Sequence, residues 1–269
     1  MELRRLTKRI GRAVQAQWFL FASRSRRVAD PPAARVLCYH SVSAFEAASF
    51  RRQLEWLASR YDVVAVEKVL EVARGGRPAA RPTAAITFDD GFRDNFDAAA
   101  PVLRQLGLPA TFFVVTSCRA ENARERDEAP DAPDESWPAR LFMTWDEVRQ
   151  LSDDGFEVGL HAHVHRDQAK FTATELRSDL ANGIELIRQH IGRRPTHFAW
   201  PFGRVVNRHP QLTTILRGLG IGCAFSGVAG NNLPGIDPYF LYRDSIDPAW
   251  PTHLVEALLR GMLDQRLVA

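Results

Sequence analysis

Ala84-Ala-Ile-Thr-Phe-Asp-Asp-Gly91 reads as a short buried strand that hands two adjacent carboxylates to a turn, where Gly91 takes a backbone conformation that a Cβ would resist. Upstream, Arg35-Val-Leu-Cys-Tyr-His40 has the same form, an apolar run ending in polar residues. Between the two, Ser49 is the expected N-cap of a helix carrying Phe50, Leu54 and Leu57 at helical spacing. Tyr61-Asp-Val-Val-Ala65 returns to strand chemistry, and a second helix fits Val66 to Ala73 before Gly75-Gly76. Downstream, a helix over Ala98 to Leu106 stops at Gly107, and Ala110-Thr-Phe-Phe-Val-Val115 is a further buried strand. Thr144-x-x-Glu147 and Thr172-x-x-Glu175 are capping boxes. The first opens a helix that Gly155 ends before the strand Phe156-Glu-Val-Gly-Leu-His161. The second opens an amphipathic helix through Leu176, Leu180, Ile184 and Ile187. Thr196-His-Phe-Ala-Trp200 and Gly222-Cys-Ala-Phe-Ser226 are short strands flanking a helix near Gln211 to Leu219, and a last helix follows Thr252. This alternation predicts an α/β fold, a parallel sheet closed or nearly closed into a barrel, with functional residues at the C-terminal ends of its strands.

The 269 residues, 45% hydrophobic and 25% charged, suffice for one substantial core, so a single catalytic domain is expected over residues 31–269. The formal charge of +3 gathers at the start: Arg4, Arg5, Lys8, Arg9, Arg12, Arg24, Arg26 and Arg27 share the first 27 residues with one acid, Glu2. The run from Ala13 to Ala22 is broken by Gln15 and Gln17 and is too short to span a bilayer, and Ser23-Arg-Ser-Arg-Arg27 does not resemble a signal cleavage site. Residues 1–30 therefore read as a basic amphipathic segment. It suits either peripheral membrane contact through residues 1–27 or a tail whose Trp18 and Phe19 pack on the domain. A cytoplasmic location, or a peripheral one on the inner membrane, is the corresponding expectation. No nucleic-acid-reading motif accompanies the basic stretch, so nucleic acid is not expected as a partner. Cys38, Cys118 and Cys223 lack the spacing of a disulfide framework or zinc ribbon, and Cys38 and Cys223 read as small buried hydrophobes. Ser117 to Arg140, with three prolines and little periodicity, reads as a long excursion from the scaffold.

Asp89-Asp90-Gly91 on its own is ordinary turn chemistry, although adjacent acids at a strand end can diverge, one toward a cation and one toward a substrate. His161-Ala-His-Val-His165 changes the balance, because three of the chain's eight histidines directly follow a strand. One helical turn would set His161 and His165 on the same side at metal-ligand spacing, with His163 pointing elsewhere. Two neutral imidazoles and one carboxylate leave coordination positions open, as catalytic zinc requires for hydrolysis, and the same set suits non-haem iron.

Thr87-Phe-Asp-Asp-Gly91 followed by Gly159-Leu-His-Ala-His-Val-His165 resembles the paired motifs of the polysaccharide deacetylases. The resemblance extends through Leu37-Cys-Tyr-His-Ser-Val42, Ala110-Thr-Phe-Phe-Val114, Phe198-Ala-Trp-Pro-Phe-Gly203 and Pro238-Tyr-Phe-Leu-Tyr-Arg243. It implies a deformed (β/α) barrel with one divalent metal ion, zinc before others, on Asp90, His161 and His165, and with Asp89 as catalytic base. The chain departs from the family pattern at Ala162, where Ser or Thr is usual, and in lacking a Leu-His motif near the C-terminus. It looks instead like the rearranged branch typified by poly-N-acetylglucosamine deacetylases, which implies that His40 is the general acid. Pro201-Phe202-Gly203 resembles the segment that shapes one wall of the substrate groove, with Trp200 beside it either stacking on a sugar or filling the core. Arg243 either replaces the arginine usual before that segment, holding Asp89, or is an ordinary surface residue.

The implied activity is metal-dependent removal of N-acetyl groups from an amino sugar in a polysaccharide, oligosaccharide or glycolipid, so the expected partner is an N-acetylated glycan or lipid-linked sugar. Two alternatives stay open on the residues: a catalytically weak glycan-binding module with the same barrel, and a non-haem iron oxygenase.

Overall fold

A parallel strand covered on both faces needs apolar side chains on both, and all six residues of the first strand β1, Ala34–Tyr39, are buried. The structure, a computed structural model, describes residues 34–76, 81–118, 141–262 and 264. The N-terminal segment 1–30 and most of the Ser117 to Arg140 excursion lie outside the described residues. After β1 come α1 (Ala47–Arg60), β2 (Asp62–Val63), α2 (Val66–Ala73) and β3 (Thr83–Phe88). A π-helical turn, Asn95–Ala99, leads into α3 (Ala100–Leu106) and β4 (Thr111–Val114). The chain continues through α4 (Trp145–Asp153), β5 (Glu157–Leu160), α5 (Ala173–Ile191), β6 (His197–Ala199), α6 (Leu212–Gly218) and β7 (Cys223–Phe225), then β8 (Asp244–Ser245) and α7 (Thr252–Leu259).

The strands pair in parallel in the order β7-β6-β5-β4-β3-β1-β8, and β2 adds to β3. Residues 238–243 bring the sheet's edges together. The Leu241 N–H donates to the Ala224 carbonyl, that of Ser226 to Leu241, and the same segment runs on into β8 beside β1. The curled sheet with its helices is a deformed (β/α) barrel, as expected.

Alternate strand residues separate two apolar clusters. Leu37, Ile86, Phe88, Phe112, Val158 and Leu160 meet the surrounding helices. Val36, Ala85, Phe113, Ala199 and Phe225 form the opposite face, which α2 covers with Val66, Val69 and Leu70.

Both capping boxes form, at Thr144 with Glu147 and at Thr172 with Glu175. Ser49 is not an N-cap: α1 begins at Ala47 behind Glu46. The Ser43 N–H and hydroxyl both donate to the Glu46 carboxylate, at 3.0 and 2.7 Å, and this turn starts the helix before Ser49 is reached.

Candidate active site

β3 delivers its two carboxylates in different directions because the backbone reverses between them. The Asp89 N–H donates to the Tyr39 carbonyl and so continues the ladder to β1, whereas Asp90 has φ of 69°. Asp89 meets Arg243, whose guanidinium donates two hydrogen bonds to it at 2.6 and 2.7 Å. Arg243 is buried and its Nε donates to the Ser226 carbonyl at 2.7 Å, so it is no surface residue. Burial alone would raise the Asp89 pKa, but the Arg243 charge and hydrogen bonds hold it well below the usual carboxylate range.

Asp90 faces the histidines that follow β5. Its Oδ1 is 3.4 Å from His161 Nε2 and 3.5 Å from His165 Nε2. Donors bound to one tetrahedral zinc at ~2.0–2.2 Å stand about 3.3–3.6 Å apart, so this spacing fits a shared ion. The tautomer fits too. His161 Nδ1 lies 2.8 Å from the Ala199 carbonyl, which can only accept, so a proton sits there and Nε2 is the nitrogen turned to Asp90 and left to ligate a metal. Burial and the neighbouring His161 lower the His165 pKa to about 4, keeping that ring neutral; burial opposes charge on His161, but Asp89 and Asp90 raise its pKa.

The two imidazoles do not converge through a helical turn. Residues 161–165 are irregular, and a reversal at Ala162, φ 72°, turns the chain back. Asp179 on α5 holds this loop, accepting the N–H groups of His163 at 3.1 Å and Val164 at 2.9 Å. The Thr116 hydroxyl hydrogen-bonds His163 Nδ1 at 2.9 Å, so His163 anchors the loop without a hydroxyl at position 162.

His40 stands exposed at the end of β1, with its carbonyl accepting from Asn95 Nδ2 at 2.8 Å. Ligand atoms of His40, Cys38 and Asp89 lie within 4.8 Å of one another. A cavity of about 410 Å³ is lined by Ser41, Phe92, Arg93, Asp94, Asp97 and Leu141, and neither His40 nor the carboxylates and histidines of the site line it.

The groove assignment needs correction at two positions. Trp200 is fully buried, its Nε1 donating to the Arg204 carbonyl and its ring 5.5 Å from that of Phe240, and Pro201 is buried as well. Both face inward because the turn lies tight on the end of β7: a Cβ at Gly203, φ 63°, would come within 2.4 Å of the Gly227 nitrogen. Phe202, in contrast, is 56% exposed and sits edge-on to His165 at 4.8 Å.

Sequence reasoning missed Asp179, whose signal was a carboxylate beside the apolar stripe of α5. It also missed the polar contact of Cys38, whose Sγ lies 3.4 Å from Asp89 Oδ2.

Comparisons with known proteins bear on the family and the fold. A family model described as polysaccharide deacetylase matches residues 76–221, a span that holds Asp89, Asp90, His161, His165 and Phe202 but neither His40 nor Arg243. The chain is 21% identical over 233 residues to the putative polysaccharide deacetylase YxkH of Bacillus subtilis, covering 84% of this chain and 76% of that protein. It is 27% identical over 184 residues to the poly-beta-1,6-N-acetyl-D-glucosamine N-deacetylase of Escherichia coli, a match to 58% of this chain and only 27% of that enzyme's length. Among solved structures, IcaB from Ammonifex degensii superposes with a TM-score of 0.69 at 25% identity, covering 85% of this chain and 98% of IcaB. The BpsB deacetylase domain from Bordetella bronchiseptica shares the fold, with a TM-score of 0.66 at 22% identity over 80% of this chain and 96% of that one. With more than half of its length matched by the family model, and with the barrel such proteins share, this chain belongs to the polysaccharide deacetylase family.

Proposed function

We propose that the chain is a metal-dependent carbohydrate N-deacetylase acting on a polymer or oligomer of N-acetylated amino sugars. The observation that carries this reading is the placing of Asp90, His161 and His165 at ligand spacing beside an Asp89 held ionised by Arg243. A divalent cation, zinc before others, held by those three residues would polarise the acetamide carbonyl and acidify a water. Asp89 then accepts a proton from the attacking water, and Arg243 keeps its carboxylate aimed, and ionised until that transfer. His40, exposed beside Asp89, donates a proton to the departing nitrogen as the C–N bond breaks, which releases acetate and a free amine. Phe202 forms the apolar wall next to His165. The E. coli relative's name favours N-acetylglucosamine polymers as the substrate class.

The test is acetate release from N-acetylglucosamine oligomers by purified protein, before and after chelation and with zinc restored. Activity that disappears with the metal and returns with zinc, in the absence of oxygen as in its presence, is the expected result. Turnover that survives complete chelation, or no acetate from any such oligomer after zinc loading, defeats the reading.

A further inference from the structure

Cys38 lies in β1 two residues beyond Val36 and pairs with Thr87 of β3, so its side chain projects from the sheet face that carries Val36 and Phe113. Asp89, two residues beyond Thr87, shares that face. Cys38 is 2% exposed, and its Sγ stands 3.4 Å from Asp89 Oδ2. A carboxylate only accepts, so the thiol donates. Burial pushes the Cys38 pKa up and outweighs the Arg243 charge that pulls it down, so the sulfur keeps the proton this bond needs.

A carboxylate offers about four lone-pair directions, two on each oxygen. On Asp89, Arg243 Nη1 takes one on Oδ1 at 2.6 Å, while Arg243 Nη2 at 2.7 Å and the Cys38 thiol take both on Oδ2. Arg243 Nη1 also reaches Thr87 Oγ1 at 3.3 Å, so its hold on Oδ1 is shared. The open direction is therefore on Oδ1. Resting on the deacetylase reading, in which Asp89 is the base, we propose that Cys38 is a positioning residue: its S–H occupies Oδ2 and leaves Oδ1 as the oxygen that takes the proton from the attacking water. The proton then arrives without breaking either bond to Oδ2.

The experiment has two arms, both on the whole chain loaded with Zn²⁺. In the first, the infrared S–H stretch of Cys38 is isolated as the difference between wild type and Cys38→Ser. It is expected below the frequency of a free thiol, and to move up when the same difference is taken in an Asp89→Asn background, because a neutral amide accepts more weakly than a carboxylate. In the second, acetate release from N-acetylglucosamine oligomers is measured per folded molecule, with thermal unfolding as the control. Cys38→Ala is expected to lose about tenfold in kcat with KM changed less than about twofold, and Cys38→Ser, which restores a donor, to recover most of that loss. A side chain that only packs would give serine no advantage over alanine in kcat. A free-thiol frequency, or one indifferent to Asp89→Asn, overturns the proposal, and so does wild-type kcat in Cys38→Ala. If Cys38→Ala does not fold, the infrared arm decides, since it needs only the serine variant. An active wild type with either contrary result sinks the role of Cys38 alone, whereas a wild type that releases no acetate sinks the deacetylase reading and this role with it.

Discussion

Asp89 and Asp90 share a strand end, but a buried guanidinium fixes one and two imidazoles surround the other, so replacing each has a different consequence. Asp89→Asn is expected to keep its zinc while losing at least about 100-fold in kcat, the scale of a lost general base, as read by metal content and acetate release on one preparation. His161→Ala is expected to lose active-site zinc along with turnover. Arg243→Gln acts through protonation. Burial pushes the Asp89 pKa up and Arg243 pulls it down, so without the guanidinium the carboxyl titrates higher and the acid limb of kcat/KM moves to higher pH. An unmoved limb would dissociate Arg243 from the state of Asp89. The same shift bears on stability. A folded pKa below the unfolded value of about 3.9 contributes stability above roughly pH 4 that is lost as pH falls toward the folded value, so the Arg243 variant should show a shallower acid-unfolding curve.

On the scale of elements, α5 links a local signal to the site. Thr172 and Glu175 were legible as its start because a capping box is written in four consecutive residues. Its partner loop was legible only in part. The spacing of His161 and His165 pointed to a shared ligand, but the reversal at Ala162 that brings them together is set by Asp179 and Thr116, contacts invisible to helical periodicity. Trp200 and Arg243 show the same limit. One is buried by a turn lying on β7, and the other reaches Asp89 across 154 residues of sequence, so neither environment follows from its neighbours in the chain. Asp179→Ala removes the acceptor for two loop N–H groups. It is expected to cost about 1–3 kcal/mol in urea unfolding and to weaken active-site zinc about 10–100-fold, with Asp179→Asn intermediate. Loss of stability with unchanged zinc affinity would mean that the loop holds its ligands without α5.

The whole barrel depends on how its two edges meet, and Arg35 is central to that closure. From β1 it donates to Asp244 on β8 at 2.9 and 2.8 Å, to Asp264 at 2.9 and 2.8 Å, and to the Leu258 carbonyl at the end of α7. Arg35 and Asp244 are each 1% exposed in their side chains, so removing Arg35 leaves Asp244 a buried carboxyl group without its cation. Arg35→Met is accordingly expected to cost about 3–5 kcal/mol, and adding Asp244→Leu should recover much of that loss, because a buried ion pair is replaceable by apolar side chains while half of one is not. Arg243 immediately precedes β8, so looser pairing of β8 with β1 also loosens the guanidinium on Asp89. In Arg35→Met, kcat per folded molecule should therefore fall, and its acid limb should move in the direction expected for Arg243→Gln. A folded fraction with wild-type kcat and pH profile would show that the sheet's closure and the ionised state of Asp89 are independent.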